Sequence, residues 1–576
     1  MDYRKEIALA LEKAIKVKSV SIDGILSLLE VPPDFSLGDY AFPCFHLAKE
    51  LKKSPKDIAL GLQKKISKPR FIEKIEAVNS YINFFLDYGV IAKDLLPFIL
   101  KEKKGFGKND SLKGKKVMIE FISPNPNKPL HVGHVRNACI GSSASSILQE
   151  NGAKVIQANL INDRGIHICK AMLAYKRWGK NQEPEGLKLK PDHFVGYYYT
   201  LFEKKAAEQE SLEQEAQDML RSWEEGDEET ILLWKKLVSW ALEGFEDTFK
   251  LLGIDFNELF FESLHYKQAK PLIEEAFKKK VFFKADDGTI MAGLEAHGLP
   301  NKVILRADGT SIYIANDLAL TPFKFDEFKL DESIWVVGND QSLYFKQLFK
   351  IFELVGFAWA KQCRHLSYGM VYLPSGKMSS RAGTVVNADD LIKELTGLAE
   401  KEILSRHKDL SDEEVKQRSE AIALAALKFF MLKIDSLKDF TFNKSEAMSF
   451  EGETGPYLQY SLARIHGILL KARDEGIDLS GKADLSCLKE ASEKKLIKML
   501  LGYPELIQEL SGNFQIHKLC HYLISLSQEF NSFYHDLSVL KAEPGVRAAR
   551  LQLIQAIAVV LENAFSLLGI KPLKRM

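Results

Sequence analysis

Two histidines three residues apart, His131 and His134, are the residues in this sequence best placed to do chemistry. At that spacing they share one face of a first helical turn. Two imidazoles at the positive end of a helix dipole suit a polyphosphate whose negative charge grows during reaction. Gly133 between them leaves room for a flat group, such as a purine ring, to approach the backbone. A zinc pair and two surface histidines are the competing readings. Zinc needs further Cys, His or carboxylate ligands at recognisable spacing, and the neighbouring sequence offers none. A second stretch, GMVYLPSGKMSSRAGTVV from Gly369 to Val386, reads as a mobile Gly- and Ser-rich loop with Lys377 and Arg381 in reach of an anion. Such a loop could close over a triphosphate and then release pyrophosphate. It is no Walker A loop, because six residues separate Gly369 from Gly376 and Met378 follows Lys377.

The elements that position these residues are legible in the apolar pattern. Val117–Glu120 is a short buried strand, and Pro124, Pro126 and Pro129 then force a turn. A helix begins near His131, with Val135, Cys139, Ile140, Ala144, Ile147 and Leu148 on its apolar face and Asn151-Gly152 as its stop. Lys154–Leu160 is a second strand, closed by Asn162–Gly165. Strand, helix and strand begin a parallel doubly wound sheet. Residues from about 180 to 300 interrupt it. Within them Ser211–Lys250 is charged and helical, with Trp223, Trp234 and Trp240 packing one face, and is assigned little chemistry. Strand patterns return at Val303–Leu305, Ser311–Ile314 and Ile334–Val337. Tyr313 and Asp317 lie where a strand passes into a helix, and Gln341 follows a strand. Strand carboxyl ends are where open sheets bind ligands, although ordinary turn polarity would also account for each residue.

Composition bounds the rest. A chain of 576 residues calls for three or four domains. Hydrophobic residues at 46% and charged residues at 27% are those of an ordinary globular protein. A formal net charge of +1 gives no global basic field, so a nucleic-acid partner would need local basic patches. The six cysteines are scattered, as in a reducing compartment. Residues 1–19 lack the apolar core of a signal peptide, and the longest apolar run, Ala421–Leu427, falls short of the ~20 residues of a membrane span. The expectation is a soluble, cytoplasmic protein without membrane contact.

At the N-terminus, Asp2–Lys16 is an amphipathic helix, Ser54-Pro55 starts another, and Ala77–Leu86 reads as a strand. Gly38-Asp39-Tyr40-Ala41 is a turn followed by aromatics. The Lys- and Gly-rich run Lys101–Lys116 is a linker. Domain boundaries follow at 1–110 (α+β), 111–435 (the sheet with its helical insertion at about 180–300) and 436–576 (all helical). In the last, Gly455-Pro456 starts a helix carrying Tyr457, Tyr460, Arg464 and His466. Phe530–Asp536, with Tyr534, lies between helices and offers rings for stacking bases. Arg547, Arg550 and the terminal KPLKRM, ending at Met576, supply cations for phosphate.

His131-Val132-Gly133-His134 resembles the HIGH signature of class I aminoacyl-tRNA synthetases, and Ser123-Pro124-Asn125 before it resembles the arginyl-tRNA synthetases in particular. Lys377-Met378-Ser379-Ser380-Arg381 resembles the KMSKS signature in its arginyl form, with Ala382 where Lys or Arg is usual. GDYA at Gly38–Ala41 resembles a segment of that family's extra N-terminal domain, and TGPYLQY at Thr454–Tyr460 resembles its NTAPYLQY entry to the anticodon-binding bundle. The resemblance covers nearly the whole chain. It implies an α/β multidomain protein with a Rossmann-like parallel-sheet catalytic core, an N-terminal α+β domain and a C-terminal α-helical bundle.

The implied reaction joins arginine to its tRNA through an arginyl-adenylate, using ATP and Mg2+, in an enzyme that generally needs tRNA for the activation step and is often monomeric. By the same resemblance His131, His134, Lys377 and Lys128 are catalytic, and Pro129, Gly133, Met378, Ser379, Ser380 and Arg381 bind ATP. Asp317, Tyr313 and Glu262 hold the guanidinium; Ser123, Asn125 and Gln341 hold the α-amino and carboxylate end, with Glu120 nearby. Asp39, Tyr40, Tyr457, Tyr460, Arg464, Tyr534 and Met576 face tRNA, and no protein-bound metal site is implied. Within the enzymes a cysteinyl or glutamyl relative is the nearest alternative, and the cysteinyl kind would need a Cys/His zinc site that this sequence lacks; a catalytically silent tRNA-binding paralogue is the rival outside the enzymes.

Overall fold

The computed structural model describes residues 3–17, 20–32, 34–307, 313–374, 386–479 and 483–576. The chain forms two compact units, one of residues 1–106, 464–503 and 526–561, the other of 107–463, 504–525 and 562–576.

In the first unit, β1 (Tyr40–Pro43), β2 (Ile72–Val78) and β3 (Tyr81–Leu86) form an antiparallel sheet in the order β1-β3-β2. The stretch 77–86, read from its apolar pattern as one strand, is instead the turn and second arm of a hairpin. Val78 pairs with Tyr81, and Asn79 takes a φ of +56°, a left-handed conformation that asparagine tolerates. Phe530–Asp536 also differs from expectation, lying inside the helix His517–Asp536 rather than between helices. Arg550, expected to reach phosphate, is buried; its Nε donates to the fully buried Glu493 at 2.7 Å and its Nη1 to the Ser538 carbonyl at 2.7 Å. Among the described residues one helix, Pro544–Leu567, is long and apolar enough to cross a membrane by length and composition, and 56% of its apolar window is buried within the protein.

The second unit is built on a five-stranded parallel sheet. Its strands are β4 (Lys116–Glu120), β5 (Lys154–Ile161) and β6 (Glu258–Phe261), then, after a small antiparallel sheet of β7 (Phe282–Lys284), β8 (Ile290–Ala292) and β9 (Lys302–Leu305), β10 (Glu332–Gly338) and β11 (Cys363–Tyr368). The order β11-β10-β4-β5-β6 reverses direction between β4 and β10, which makes their carboxyl ends the switch-point crevice of an open sheet. Helices Pro191–Ala206, Ser211–Glu225 and Glu228–Leu252 interrupt the sheet as expected, but β6 rejoins it within the range 180–300. Trp223 and Trp234 pack edge to face at 5.4 Å, and Trp240 packs on Phe194. Val303–Leu305 falls in the small sheet, not the main one, and Ile314 is already helical. From Ala388 onward nearly everything is helix, and β12 (Val371–Tyr372) and β13 (Phe440–Thr441) pair beside it.

Candidate active site

The chain leaves β4 at Glu120 and turns through Ile122 and Ser123 with φ of +72° and +45°. A β-branched residue in the left-handed region is strained, and strain of this kind persists only where neighbours enforce it. Three asparagines do so. Asn137 Oδ1 accepts the Ile122 N–H at 2.6 Å, Asn159 Oδ1 accepts the Ser123 N–H at 3.1 Å, and Asn162 Nδ2 donates to the Ser123 carbonyl at 3.0 Å.

The helix Val132–Glu150 then starts on the two histidines, which cap it. His131 Nδ1 accepts the Gly133 N–H and His134 Nδ1 accepts the His131 N–H, both at 3.1 Å. Their rings stack with centroids 3.9 Å apart. A Cβ on residue 133 would stand 2.9 Å from His131 Cε1, so Gly133 is required by the imidazole itself. Burial, followed by the charge of Lys128, holds the His131 pKa down to about 4. Burial, followed by His131 and Lys128, holds His134 well below the ordinary range. Both rings are therefore neutral near pH 7. Since each Nδ1 accepts, each ring proton sits on Nε2, which leaves two N–H donors.

Lys128, whose pKa burial lowers, is the cation of this turn. Helix Pro191–Ala206 backs it closely, for a Cβ on Gly196 would meet Pro129 Cδ at 2.6 Å. Lys377, Met378, Ser379, Ser380, Arg381 and Ala382 lie outside the described residues. The chain that follows them is stitched to the histidine turn: His131 bridges Asn387, the Val132 N–H donates to the Val386 carbonyl at 3.2 Å, and the Ala388 N–H to that of Leu130 at 2.8 Å. Asp389, two residues on, is held by Lys190 at 2.9 Å, His193 at 3.0 Å and Thr248 at 3.0 Å. His193 and Thr248 lie in the inserted helices and Lys190 caps the first of them, so the insertion anchors this turn as well as scaffolding the unit. On the other side, the fully buried Arg136 donates to the carbonyls of Gly369, Ser436 (3.0 Å) and Lys438 (2.9 Å).

A group of acids gathers at the carboxyl ends of the strands. Glu120 ends β4 and is ion-paired with the fully buried Lys324. Glu262 follows β6; its Oε1 accepts from Asn316 Nδ2 at 2.6 Å and lies 3.7 Å from Arg164, while its Oε2 is buried without a partner. Asp317, in the helix Tyr313–Phe328, accepts on Oδ2 from the Tyr344 hydroxyl. Burial raises the Glu262 pKa to about 7, opposed chiefly by Arg164. Burial raises Asp317 to about 6, opposed by Tyr344 and reinforced by Glu120. These are carboxylates short of positive charge.

Gln341 follows β10 as expected; it is exposed and its Nε2 donates to Asp340 at 2.8 Å. Ser123 and Asn125 are half-buried in the strained turn. Tyr313 begins its helix, its side chain being outside the described residues. Tyr344, Asn316, Lys324 and Arg136 escaped the sequence reading. Arg136 alone left a trace, as a charge beside the apolar Val135 and Ala138.

Of the other expected residues, Asp39, Tyr40, Arg464 and Tyr534 belong to the first unit, and Tyr457, Tyr460 and Met576 to the second. Asp39 accepts from the Leu86 N–H at 2.8 Å and from Tyr88, and pairs with Lys498 at 2.7 Å, so its carboxylate fastens its own unit together. Tyr40 starts β1 and pairs with Phe84. Arg464 and Tyr534 meet, the guanidinium 5.9 Å from the ring centroid, and Tyr534 is 40% exposed. Tyr457 and Tyr460 are half-buried on the helix Gly455–Asp474. Met576 packs beside Ile403 and Ile422, its carbonyl receiving His407 Nε2 at 3.2 Å.

Residues 96–444 match the family described as tRNA synthetases class I (R), catalytic domain. The chain belongs to the arginyl-tRNA synthetase family. Residues 1–86 match the arginyl tRNA synthetase N-terminal domain and 458–576 the DALR anticodon binding domain. An arginine–tRNA ligase of Treponema denticola is 44% identical over 550 residues, which is 94% of this chain and 93% of that one. One from Porphyromonas gingivalis is 36% identical, with 96% of each chain covered. The solved Thermus thermophilus arginyl-tRNA synthetase superposes with a TM-score of 0.84 at 28% identity, covering 100% of both chains. The expected fold class is therefore present, and the family uses ATP.

Proposed function

We propose that this chain ligates L-arginine to arginine tRNA. An arginine carboxylate oxygen attacks the α-phosphorus of ATP, the bond to pyrophosphate breaks, and arginyl-adenylate forms. The terminal ribose hydroxyl of tRNA then attacks the arginyl carbonyl and AMP leaves. The observation that carries the substrate is the pair of the half-buried Asp317 and the buried Glu262, two carboxylates held without full charge compensation, as a guanidinium pocket requires. Tyr313 joins them on this reading. Ser123, Asn125 and Gln341 receive the amino-acid end, and Glu120, already paired with Lys324, shapes the wall between.

The two Nε2–H donors of His131 and His134 bind phosphate oxygens as their charge develops, with Lys128 and Lys377 neutralising the departing pyrophosphate. Pro129, Gly133, Met378, Ser379, Ser380 and Arg381 complete the nucleotide contacts in this proposal. Mg2+ has no protein ligand in it. Among the described residues Asp192, His193 and Asp389 bring three ligating atoms within 4.8 Å, but the Lys190 ammonium already lies 3.6 Å from Asp192 and 2.9 Å from Asp389, so they do not fit a divalent ion.

Asp39, Tyr40, Tyr457, Tyr460, Arg464, Tyr534 and Met576 are assigned to tRNA, with residues 1–110 and 436–576 as the domains that carry it and 111–435 as the catalytic domain. The enzyme works in the cytoplasm as a monomer, without a membrane. Arginine-dependent ATP–pyrophosphate exchange, run with and without arginine tRNA, tests the reading. Exchange that needs both arginine and tRNA is expected. Binding of tRNA without exchange under either condition would instead identify a silent tRNA-binding paralogue.

A further inference from the structure

We propose that Tyr344 is a positioning residue of the guanidinium pocket, taking one oxygen of Asp317 so that the other is presented to the substrate. The inference rests on the reading of Asp317 as an arginine ligand. Tyr344 lies in the helix Ser342–Val355, one turn after Gln341, and its hydroxyl donates to Asp317 Oδ2. The ring is itself placed, with Phe345 packed edge-on at 5.3 Å and Lys302 over its face at 5.2 Å.

Glu262 is held in the same way. Asn316 occupies its Oε1 at 2.6 Å and leaves Oε2 buried and unpaired. Each acid thus has one oxygen held by a neutral hydrogen-bond donor, with Arg164 3.7 Å from that same oxygen of Glu262. A planar guanidinium has N–H groups pointing along two edges, and two single oxygens from separate carboxylates can meet both.

The neutrality of the donors matters. An ammonium or guanidinium in the place of Tyr344 would orient Asp317 equally well but would cancel the charge the ligand is meant to meet. The nearby cations have closer partners, Lys324 in Glu120 and Arg164 in Glu224, with Arg164 standing 3.7 Å from Glu262 as a weaker second contact. The charged and titratable groups facing Asp317 are Tyr344, Lys324 from its own helix, Glu120 from β4 and Glu262 after β6. Only Tyr344 and Lys324 favour its ionised form, and both acids oppose it. Removing the hydroxyl must therefore make Asp317 harder to ionise as well as freer to turn.

Steady-state aminoacylation by Tyr344→Phe and Asp317→Asn, followed from pH 5.5 to 8.5, tests this. In Tyr344→Phe the KM for arginine rises about tenfold, the loss of one hydrogen bond to a charged group. Its kcat and its KM for ATP stay within about twofold, and the acid limb of kcat/KM for arginine moves to higher pH. Asp317→Asn raises the same KM much further. An unchanged arginine KM and acid limb in Tyr344→Phe, with Asp317→Asn still impaired, would overturn the role of Tyr344 alone. An unchanged arginine KM in Asp317→Asn would overturn the pocket itself. Equal losses for arginine and ATP with a lowered melting temperature would reduce Tyr344 to a packing residue.

Discussion

The guanidinium of Arg136 donates to the carbonyl of Gly369, 233 residues further along the chain. It also reaches the carbonyls of Ser436 and Lys438 and lies 4.7 Å from the Phe440 ring centroid. Gly369 precedes β12 and Lys438 precedes β13, so one side chain ties the histidine-capped helix to both strands of that pair. Burial pulls its pKa down to about 10, partly offset by Tyr368, Asp439 and Asp435.

Arg136→Met takes the side-chain donor from the carbonyls of Gly369 and Lys438 and is expected to destabilise the protein by roughly 3 kcal/mol. Urea unfolding followed by circular dichroism would measure it. Arg136→Lys, which keeps the charge and fewer donors, should fall between the two. A stability equal to the parent's in Arg136→Met would show that this contact holds nothing.

The histidine pair is expected to stay uncharged near neutral pH, since burial and Lys128 lower both pKa values. Nitrogen-detected NMR of ring-labelled protein should show the Nε2–H tautomer for both and no titration between pH 6 and 8. His134→Gln keeps an N–H near the Nε2 position, whereas His134→Ala removes it. The Ala variant should lose about 10²–10³ in kcat, the scale of one missing charge-stabilising donor, and Gln should recover part of it.

Arginine binding should release protons. Asp317 and Glu262, with pKa values near 6 and 7, are partly protonated at pH 6.5 in the empty pocket and must ionise to meet a guanidinium. Calorimetry at that pH in two buffers of different ionisation enthalpy would count the protons, and affinity should fall steadily below pH 7. The sign for stability is opposite. Between their unfolded values, about 4, and their raised folded values the native protein binds more protons, so their contribution weakens as pH rises through that window.

Asp389 carries the reverse dependence. Its pKa is lowered, with burial opposed by His193, Lys190 and Thr248 in turn, so its contribution is present above about pH 4 and lost on acidification. Asp389→Asn should therefore destabilise the protein at pH 7 by about 1–2 kcal/mol, a figure reduced for its partial exposure, and by little at pH 3. It should also raise hydrogen exchange in residues 386–392. Unchanged exchange there would mean that the inserted helices do not hold this segment.

Most elements of the catalytic unit were legible because the cues were local. Three prolines, a histidine cap and Asn151-Gly152 marked one turn and one helix, and these fell where expected. Strand order was not legible, since nothing in the residues of β10 says that it pairs with β4 rather than with β9. The hairpin at Asn79-Ser80 was missed because its two arms share one apolar pattern. Asp317 and Glu262 were found by family resemblance, but Tyr344, Asn316 and Lys324 were not, because their importance lies in which atom of a distant acid each one touches. Arg550 erred the other way: a surface-like arginine at the level of sequence, it is consumed by Glu493 in the interior.

The capping box of His131 and His134 has an evolutionary consequence. Those rings close the first turn of a buried helix whether or not a nucleotide ever binds, so selection for folding alone would preserve them. Asp317 and Glu262 have no such protection, since burying their charge works against folding. In a lineage that had ceased to charge tRNA the histidine signature would outlast the acids. Two intact carboxylates opposite Tyr344 and Asn316 are accordingly a better sign of a working enzyme than the motif by which the family is recognised.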